Sequence, residues 1–86
     1  MLNVNMLNVN NVNELQVLVN QLVKTNKPTL YFTVQNNEDE CLQLCVCNEG
    51  GYYIEVMDLY TMLTVNSVYC TTPQNIISTI TNVYGL

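Results

Sequence analysis

Residues 41–57, CLQLCVCNEGGYYIEVM, contain the pattern that determines the fold. On both sides of the Asn-Glu-Gly-Gly segment, apolar residues recur at every second position, which is typical of β-strands with one buried face. Glycine in that segment supplies the left-handed backbone conformation that tight hairpin loops need. The stretch therefore predicts an antiparallel hairpin with strands over residues 41–47 and 52–57.

The side chains of this hairpin also predict its register. A three-residue loop with a left-handed glycine places even-numbered residues of one strand beside even-numbered residues of the other. Leu42 and Leu44 then share a face with Ile54 and Val56. A loop of two or four residues would instead bring Glu55 among the leucines, so the odd-numbered loop is predicted.

A helix and another strand precede the hairpin. Between residues 12 and 22 apolar residues follow an i, i+3, i+4, i+7 pattern, which predicts an amphipathic helix of about a dozen residues. Asn11 or Asn13 is expected to cap this helix, and Pro28 to end it. Residues 29–35 alternate, so Leu30 and Phe32 are predicted on the buried face of a strand.

The remaining elements follow the hairpin. Asp58 is expected to cap a short helical turn over residues 59–63, and residues 65–71 have the pattern of a weaker fourth strand. Thr72 and Pro73 form a typical helix start. The final helix is predicted to end at Gly85, with an apolar stripe over residues 76–84.

The amino terminus contains an internal duplication, because residues 1–5 and 6–10 have the same sequence, MLNVN. A period of five fits neither a helix nor a solenoid, and replication slippage explains it. Residues 1–10 are expected to form either a short edge strand or a flexible arm.

Together these elements predict an α+β protein with one domain over residues 1–86. Its order is α-β-β-β-(short α)-β-α. The prediction is a two-layer domain in which an N-terminal and a C-terminal helix pack on one face of a three- to four-stranded antiparallel sheet.

The charge composition argues against several classes of function. The chain has a net charge of −5, two lysines, no arginine and no histidine. Nucleic-acid binding requires several phosphate-neutralising cations, so no nucleic-acid partner is expected. The absence of histidine excludes the usual catalytic triads and histidine metal sites, so we predict no enzyme activity and no cofactor.

The chain has no apolar run of about 20 residues, the length that a membrane span requires. Its first residues lack the basic and apolar regions of a signal peptide. We therefore expect a soluble, cytoplasmic protein without membrane contact.

Four cysteines leave several interpretations open. Cys41, Cys45 and Cys47 lie along one face of a strand, where alternate residues are about 7 Å apart. This spacing separates potential zinc ligands instead of bringing them together around one ion. A disulfide between Cys70 and Cys45 or Cys47 requires adjacent strands. Reduced thiols are the default in a cytosol. A cysteine-based redox or metal-binding protein remains one alternative function.

The face of the sheet opposite the helices is the predicted interface. It is nearly uncharged and contains tyrosine and methionine, which are enriched at protein interfaces. The candidate interface residues are Tyr31, Thr33, Gln43, Cys45, Tyr53, Glu55 and Met57.

These observations predict a non-catalytic protein–protein interaction module that self-associates, as a homodimer, through a sheet face or edge. The element order and acidic character are similar to several small phage proteins that inhibit host defence enzymes, which implies a host protein as partner. The abundance of asparagine and the lack of alanine and arginine resemble the coding bias of AT-rich viruses and mobile elements. A structural, self-assembling subunit is the alternative.

Overall fold

The computed structural model describes residues 6–25, 29–47 and 49–86. Within these ranges it contains five strands and two helices. In chain order they are β1 (Leu7–Val9), α1 (Val12–Thr25), β2 (Thr29–Val34), β3 (Glu40–Val46), β4 (Tyr52–Asp58), β5 (Thr64–Cys70) and α2 (Pro73–Tyr84). The strands form one sheet in the order β1-β2-β3-β4-β5. The predicted α+β class is confirmed.

The hairpin of β3 and β4 has the predicted register. Leu44 pairs with Ile54 and Leu42 with Val56, so even-numbered residues lie beside even-numbered residues. The Cys47 N–H donates to the Gly51 carbonyl at 3.1 Å, which leaves the three residues 48–50 between the pair. A loop with an odd number of residues therefore joins the strands, which is the loop length predicted to keep Glu55 off the apolar face.

One apolar core lies between the helices and one face of the sheet. Phe32, Leu44 and Ile54 from neighbouring strands are 0–2% exposed. They pack with buried side chains of both helices, which places α1 and α2 on the same face. The helical contribution comprises Leu15, Leu18, Val19, Leu22, Ile76, Ile77 and Ile80.

The sheet corrects the predicted strand number and orientation, because it has five strands and is mixed rather than three- to four-stranded and antiparallel. The additional strand is β1, which pairs with β2 in parallel. Asn8 holds it there: its Oδ1 accepts hydrogen bonds from Thr33 Oγ1 at 2.9 Å and from the Asn36 N–H at 2.8 Å. Residues 7–9 thus form an edge strand, and residues 1–5 of the predicted arm lie outside the described residues.

A second correction concerns residues 59–63, which form a turn rather than a short helix. Asp58 does cap this segment, because its Oδ1 accepts hydrogen bonds from the N–H groups of Tyr60 at 2.7 Å and Thr61 at 3.1 Å. Met62 then has a left-handed φ of 59°, which stops helical propagation. The Asp58 N–H donates to the Leu63 carbonyl at 3.0 Å, so the turn closes a β4–β5 hairpin.

Both helices begin at a local cap in the sequence, and α2 also ends at one. Asn11 is the cap of α1, since its Oδ1 accepts a hydrogen bond from the Glu14 N–H at 2.9 Å. Thr72 caps α2 through the Asn75 N–H, and Gly85 ends it with a left-handed φ of 68°. The predicted start and end of α2 are therefore confirmed, and Pro28, the predicted stop of α1, lies outside the described residues.

The cap of α1 can be tested with two neighbouring asparagines. Asn11→Ala should lower the free energy of unfolding by about 1 kcal/mol, because it leaves the Glu14 N–H without its acceptor. Asn13→Ala, at an exposed position inside the helix, should change it by less than ~0.5 kcal/mol. Urea denaturation followed by circular dichroism measures both values. Equal losses for the two variants would contradict this cap assignment.

Candidate protein interface

The face of the sheet that points away from α1 and α2 is called the reverse face below. The strand register arranges its side chains in rows that cross the sheet. The row nearest the β3–β4 loop consists of Thr29, Cys45, Tyr53 and Tyr69. The next row consists of Tyr31, Gln43, Glu55 and Ser67. Cys41 and Met57 follow.

Three tyrosines give the reverse face its character. Tyr31, Tyr53 and Tyr69 are 45%, 42% and 50% exposed, so roughly half of each side chain is open to a partner. The rings of Tyr53 and Tyr69 lie edge to face, with centroids 5.2 Å apart and planes at 62°. The Tyr31 hydroxyl accepts a hydrogen bond from Gln43 Nε2 at 3.1 Å. These contacts hold the rings in defined positions before any binding event.

Tyr69 also lies on the reverse face, although it is not among the residues that the sequence placed there. Its ring lies over Gly51, where a Cβ would overlap the tyrosine hydroxyl, and that hydroxyl donates to the Gly50 carbonyl at 3.0 Å. The signal in the sequence was present but indirect: a glycine in one strand accommodates an aromatic ring from its neighbour. It required knowing that β5 pairs with β4.

The structure brings five of the seven predicted interface residues together. They are Tyr31, Gln43, Cys45, Tyr53 and Glu55, on the central strands β2, β3 and β4. The other two lie toward the opposite end of the face.

Thr33 and Met57 are these two outlying residues, and both are half-buried. The Thr33 hydroxyl is engaged by β1, through Asn8 Oδ1 at 2.9 Å and the Leu7 carbonyl at 3.4 Å. Met57 pairs with the fully buried Cys41. Both residues lie on the predicted face, but they support its outer end more than they present atoms to solvent.

Glu55 supplies the charge at the centre of this face. It lies between the neutral Gln43 and Ser67 in the middle of the second row. A second carboxylate, Glu49 of the β3–β4 loop, lines a depression beside Tyr53 and Tyr69. A partner would satisfy the Glu55 carboxylate with a cation or with hydrogen-bond donors.

The cysteines lie on two different faces. Cys70 is buried beneath α2, where its Sγ lies 3.9 Å from Thr79 Oγ1. Cys45 and Cys47 are half-buried on or beside the reverse face, and β4 lies between their strand and that of Cys70. All four cysteines are free thiols. This arrangement does not allow the disulfide between Cys70 and Cys45 or Cys47 that the sequence left open.

The surroundings of Cys41 and Cys45 make these two thiols less reactive. Burial raises the pKa of Cys41. The pKa of Cys45 is also raised, chiefly by burial; a hydrogen bond with Thr29 lowers it in part, and the negative charges of Glu55 and Cys47 add smaller increases. A raised pKa reduces the thiolate fraction, which is the nucleophilic and metal-binding form. Among the described residues, no group of three or more cysteine or acidic side chains is arranged to hold a metal ion.

Comparison with known proteins assigns no family to this chain. No family model matches it, and neither a curated protein nor a solved structure does. In the described parts of the chain, no helix is long and apolar enough to cross a membrane. The fold and the reverse face therefore define the chain only as a small two-layer α+β domain with an uncovered aromatic sheet surface.

The difference in burial between the thiols predicts their reactivity. In the native protein at pH 8, a thiol reagent should modify Cys45 and Cys47, whereas Cys41 and Cys70 should react only after unfolding. Cys45 should react more slowly than a free cysteine and accelerate as the pH rises toward its raised pKa. Time-resolved titration with mass spectrometry assigns each site, with Cys45→Ser as the control. Simultaneous modification of all four thiols in the folded state would contradict the burial pattern.

Proposed function

We propose that this chain is a non-catalytic protein–protein interaction module of viral or mobile-element origin, which binds and inhibits a host protein through the reverse face. The observation that carries the proposal is the presence of three half-exposed tyrosines on one sheet face that the helices leave open. The origin is proposed from the composition alone, and the inhibitory role from the resemblance to small phage inhibitors.

Tyrosine is well suited to such a surface. It offers a large apolar ring and a hydroxyl, and it loses little conformational entropy on binding because it has only two side-chain torsions. Here the contacts of Tyr31 with Gln43 and of Tyr53 with Tyr69 restrict the rings further. Part of the ordering cost of binding is therefore met during folding.

The central carboxylate favours one kind of partner surface. A protein that buried Glu55 without a partner group would lose several kcal/mol of binding free energy, on the order of the penalty for an unpaired buried charge. A surface with an arginine or lysine opposite Glu55, surrounded by apolar groups for the tyrosines, avoids that loss. The net charge of −5 adds long-range attraction to such a basic surface.

Self-assembly is the second candidate function, and a different part of the molecule favours it. β5 is a seven-residue edge strand at one end of the sheet. An edge strand of that length exposes backbone groups that can pair with another chain.

The reverse face can be tested with tyrosine substitutions. Tyr31→Asp combined with Tyr53→Asp should weaken binding to the partner by ~30-fold or more, since one interface tyrosine that anchors binding contributes about 2 kcal/mol and ~1.4 kcal/mol is a factor of about ten. The fold should persist, because both side chains lie outside the core. The measurement is quantitative capture of proteins from the lysate of the natural host, with bound proteins identified by mass spectrometry.

Tyr60→Asp is the matched control, because Tyr60 is 82% exposed on the β4–β5 turn and lies away from the two rows. A protein retained by the wild type and by the control but lost by the double variant supports the reverse face. If the double variant retains the same proteins at the same yield, the proposed surface is wrong.

A further inference from the structure

The β5 edge has backbone groups that the sheet does not use. The pair of Cys47 and Gly51 closes the β3–β4 loop with a backbone hydrogen bond, so the odd-numbered residues of β4 direct their backbone groups toward β3. Its even-numbered residues then bond to the even-numbered residues of β5. By this alternation, Ser67 and Tyr69 direct their N–H and C=O groups away from the sheet.

An independent observation supports this assignment. The Ser67 N–H donates to the side chain of its own neighbour, Asn66 Oδ1, at 2.9 Å. A backbone donor that belonged to the β4–β5 ladder would donate to a β4 carbonyl instead. The neighbouring amide is a local substitute, which an incoming strand can displace.

The β5 edge also lacks most of the features that protect natural edge strands. Its sequence, TVNSVYC, contains no charged residue and no proline. A register shift opposite Val56 and Met57 leaves Val65 as an extra residue, so a bulge disturbs one end of the strand. Residues 66–70 remain regular, and Ser67 and Tyr69 lie within that regular part.

The distribution of charge favours a second copy of this chain as the occupant. All seven acidic residues lie between positions 14 and 58, and residues 59–86 contain no charged side chain. Copies of a protein with a net charge of −5 repel each other on most surfaces. β5 and α2 form the region where two copies approach without opposing acidic side chains.

An apolar crevice adjoins the same edge on the helical side. It has a volume of about 40 Å³ and is lined in part by Val56, Val68 and Val83. Val83 is 68% exposed on α2, although Ile76, Ile77 and Ile80 of the same helix are buried. A second molecule at β5 would cover this valine.

We propose that β5 binds β5 of a second copy in antiparallel orientation, about a two-fold axis at Val68. In this register Ser67 of each copy pairs with Tyr69 of the other. Within each of these two pairs, the residues exchange backbone N–H···O=C hydrogen bonds. Val68 meets its own copy on the helical side, next to the crevice. A register centred on Ser67 would need the bulged Val65 for its outer pairs, so it forms fewer regular bonds.

This dimer extends the sheet from five strands to ten and keeps both reverse faces on the same side, because the axis is perpendicular to the sheet. The tyrosines of the two copies then form one continuous surface. The inference rests on the second candidate function, self-assembly at β5, and is independent of partner binding at the reverse face, because the two sites involve different groups.

Charge substitution at Ser67 tests the dimer. The two copies of Ser67 lie diagonally across the axis, so Ser67→Glu and Ser67→Lys each place like charges near one another. We expect each variant to weaken dimerisation by about tenfold, as repulsion of ~1.4 kcal/mol would produce. Ser67→Glu should have the larger effect. Glu55, beside Ser67 on β4, adds to the negative charge that each copy brings to the contact, whereas it partly neutralises a lysine at position 67. Sedimentation equilibrium at low salt measures the dissociation constants.

An equimolar mixture of the two variants provides the decisive result. Opposite charges should restore a heterodimer at least as strong as the wild-type dimer, which also shows that both variants are folded. Ser78→Lys, a matched change at an exposed position of α2 outside the crevice, should leave the dimer intact. Circular dichroism verifies the secondary structure of each variant.

Three outcomes would overturn the proposal. The first is a wild type that stays monomeric up to about 1 mM, a limit that corresponds to ~4 kcal/mol of binding free energy. The second is a dimer that both Ser67 variants leave unchanged. The third is a pair of weakened variants whose mixture fails to associate, which would indicate that the two copies of Ser67 do not lie near each other across a β5–β5 edge. The variant with Tyr31→Asp and Tyr53→Asp should still dimerise. The experiments therefore distinguish a failure of the β5 dimer proposal from a failure of the reverse-face proposal.

Discussion

The pairing of Leu44 with Ile54 at the centre of the sheet is the constraint on which the rest of the structure depends. Both side chains are buried, and their even-numbered neighbours on β3 and β4 line the same face. A shift of one residue would move Glu55 into the apolar layer, at a cost of several kcal/mol for an unpaired buried charge. The register that avoids this cost also fixes Tyr53 and Glu55 on the reverse face. Core and interface are therefore two consequences of one alternation.

Patterns within single elements made most of the fold predictable from the sequence. The alternation in residues 41–57 determined the hairpin, and local caps at Asn11, Thr72 and Gly85 marked helix ends. The predictions that were wrong concern features that depend on contacts between different helices and strands. β1 has only three residues, too few for a periodic signal, and its position depends on Asn8 bonding to residues 25 and 28 positions away. The segment after Asp58 has a helical start, but the left-handed Met62 and the β4–β5 pairing make it a turn.

The candidate interface residues were also predictable where a pattern within one strand placed them, and not where contacts between strands did. Five predicted residues could be placed together because β2, β3 and β4 alternate clearly, so their faces follow from residue numbers alone. Tyr69 could not be placed, because β5 has a weak pattern and a bulge that shifts its register. Gly51 was explained as a loop glycine, whereas the structure shows that it also makes room for the Tyr69 ring. Sequence patterns reveal the local role of such a residue, here the turn, but not a role that depends on a neighbouring strand.

Both helices pack on one face of the five-stranded sheet, so within the part of the chain that the structure describes the helices leave the other face to solvent or to a partner. A chain with few charges has limited means to make that face fully polar, and this one uses tyrosine, glutamine and a central glutamate. The acidic residues lie before position 59, and the uncharged C-terminal part contributes the open edge strand. The charge pattern thus separates two kinds of surface. One has a carboxylate that favours a basic partner, and the other is a neutral edge where a second acidic copy meets no opposing charge.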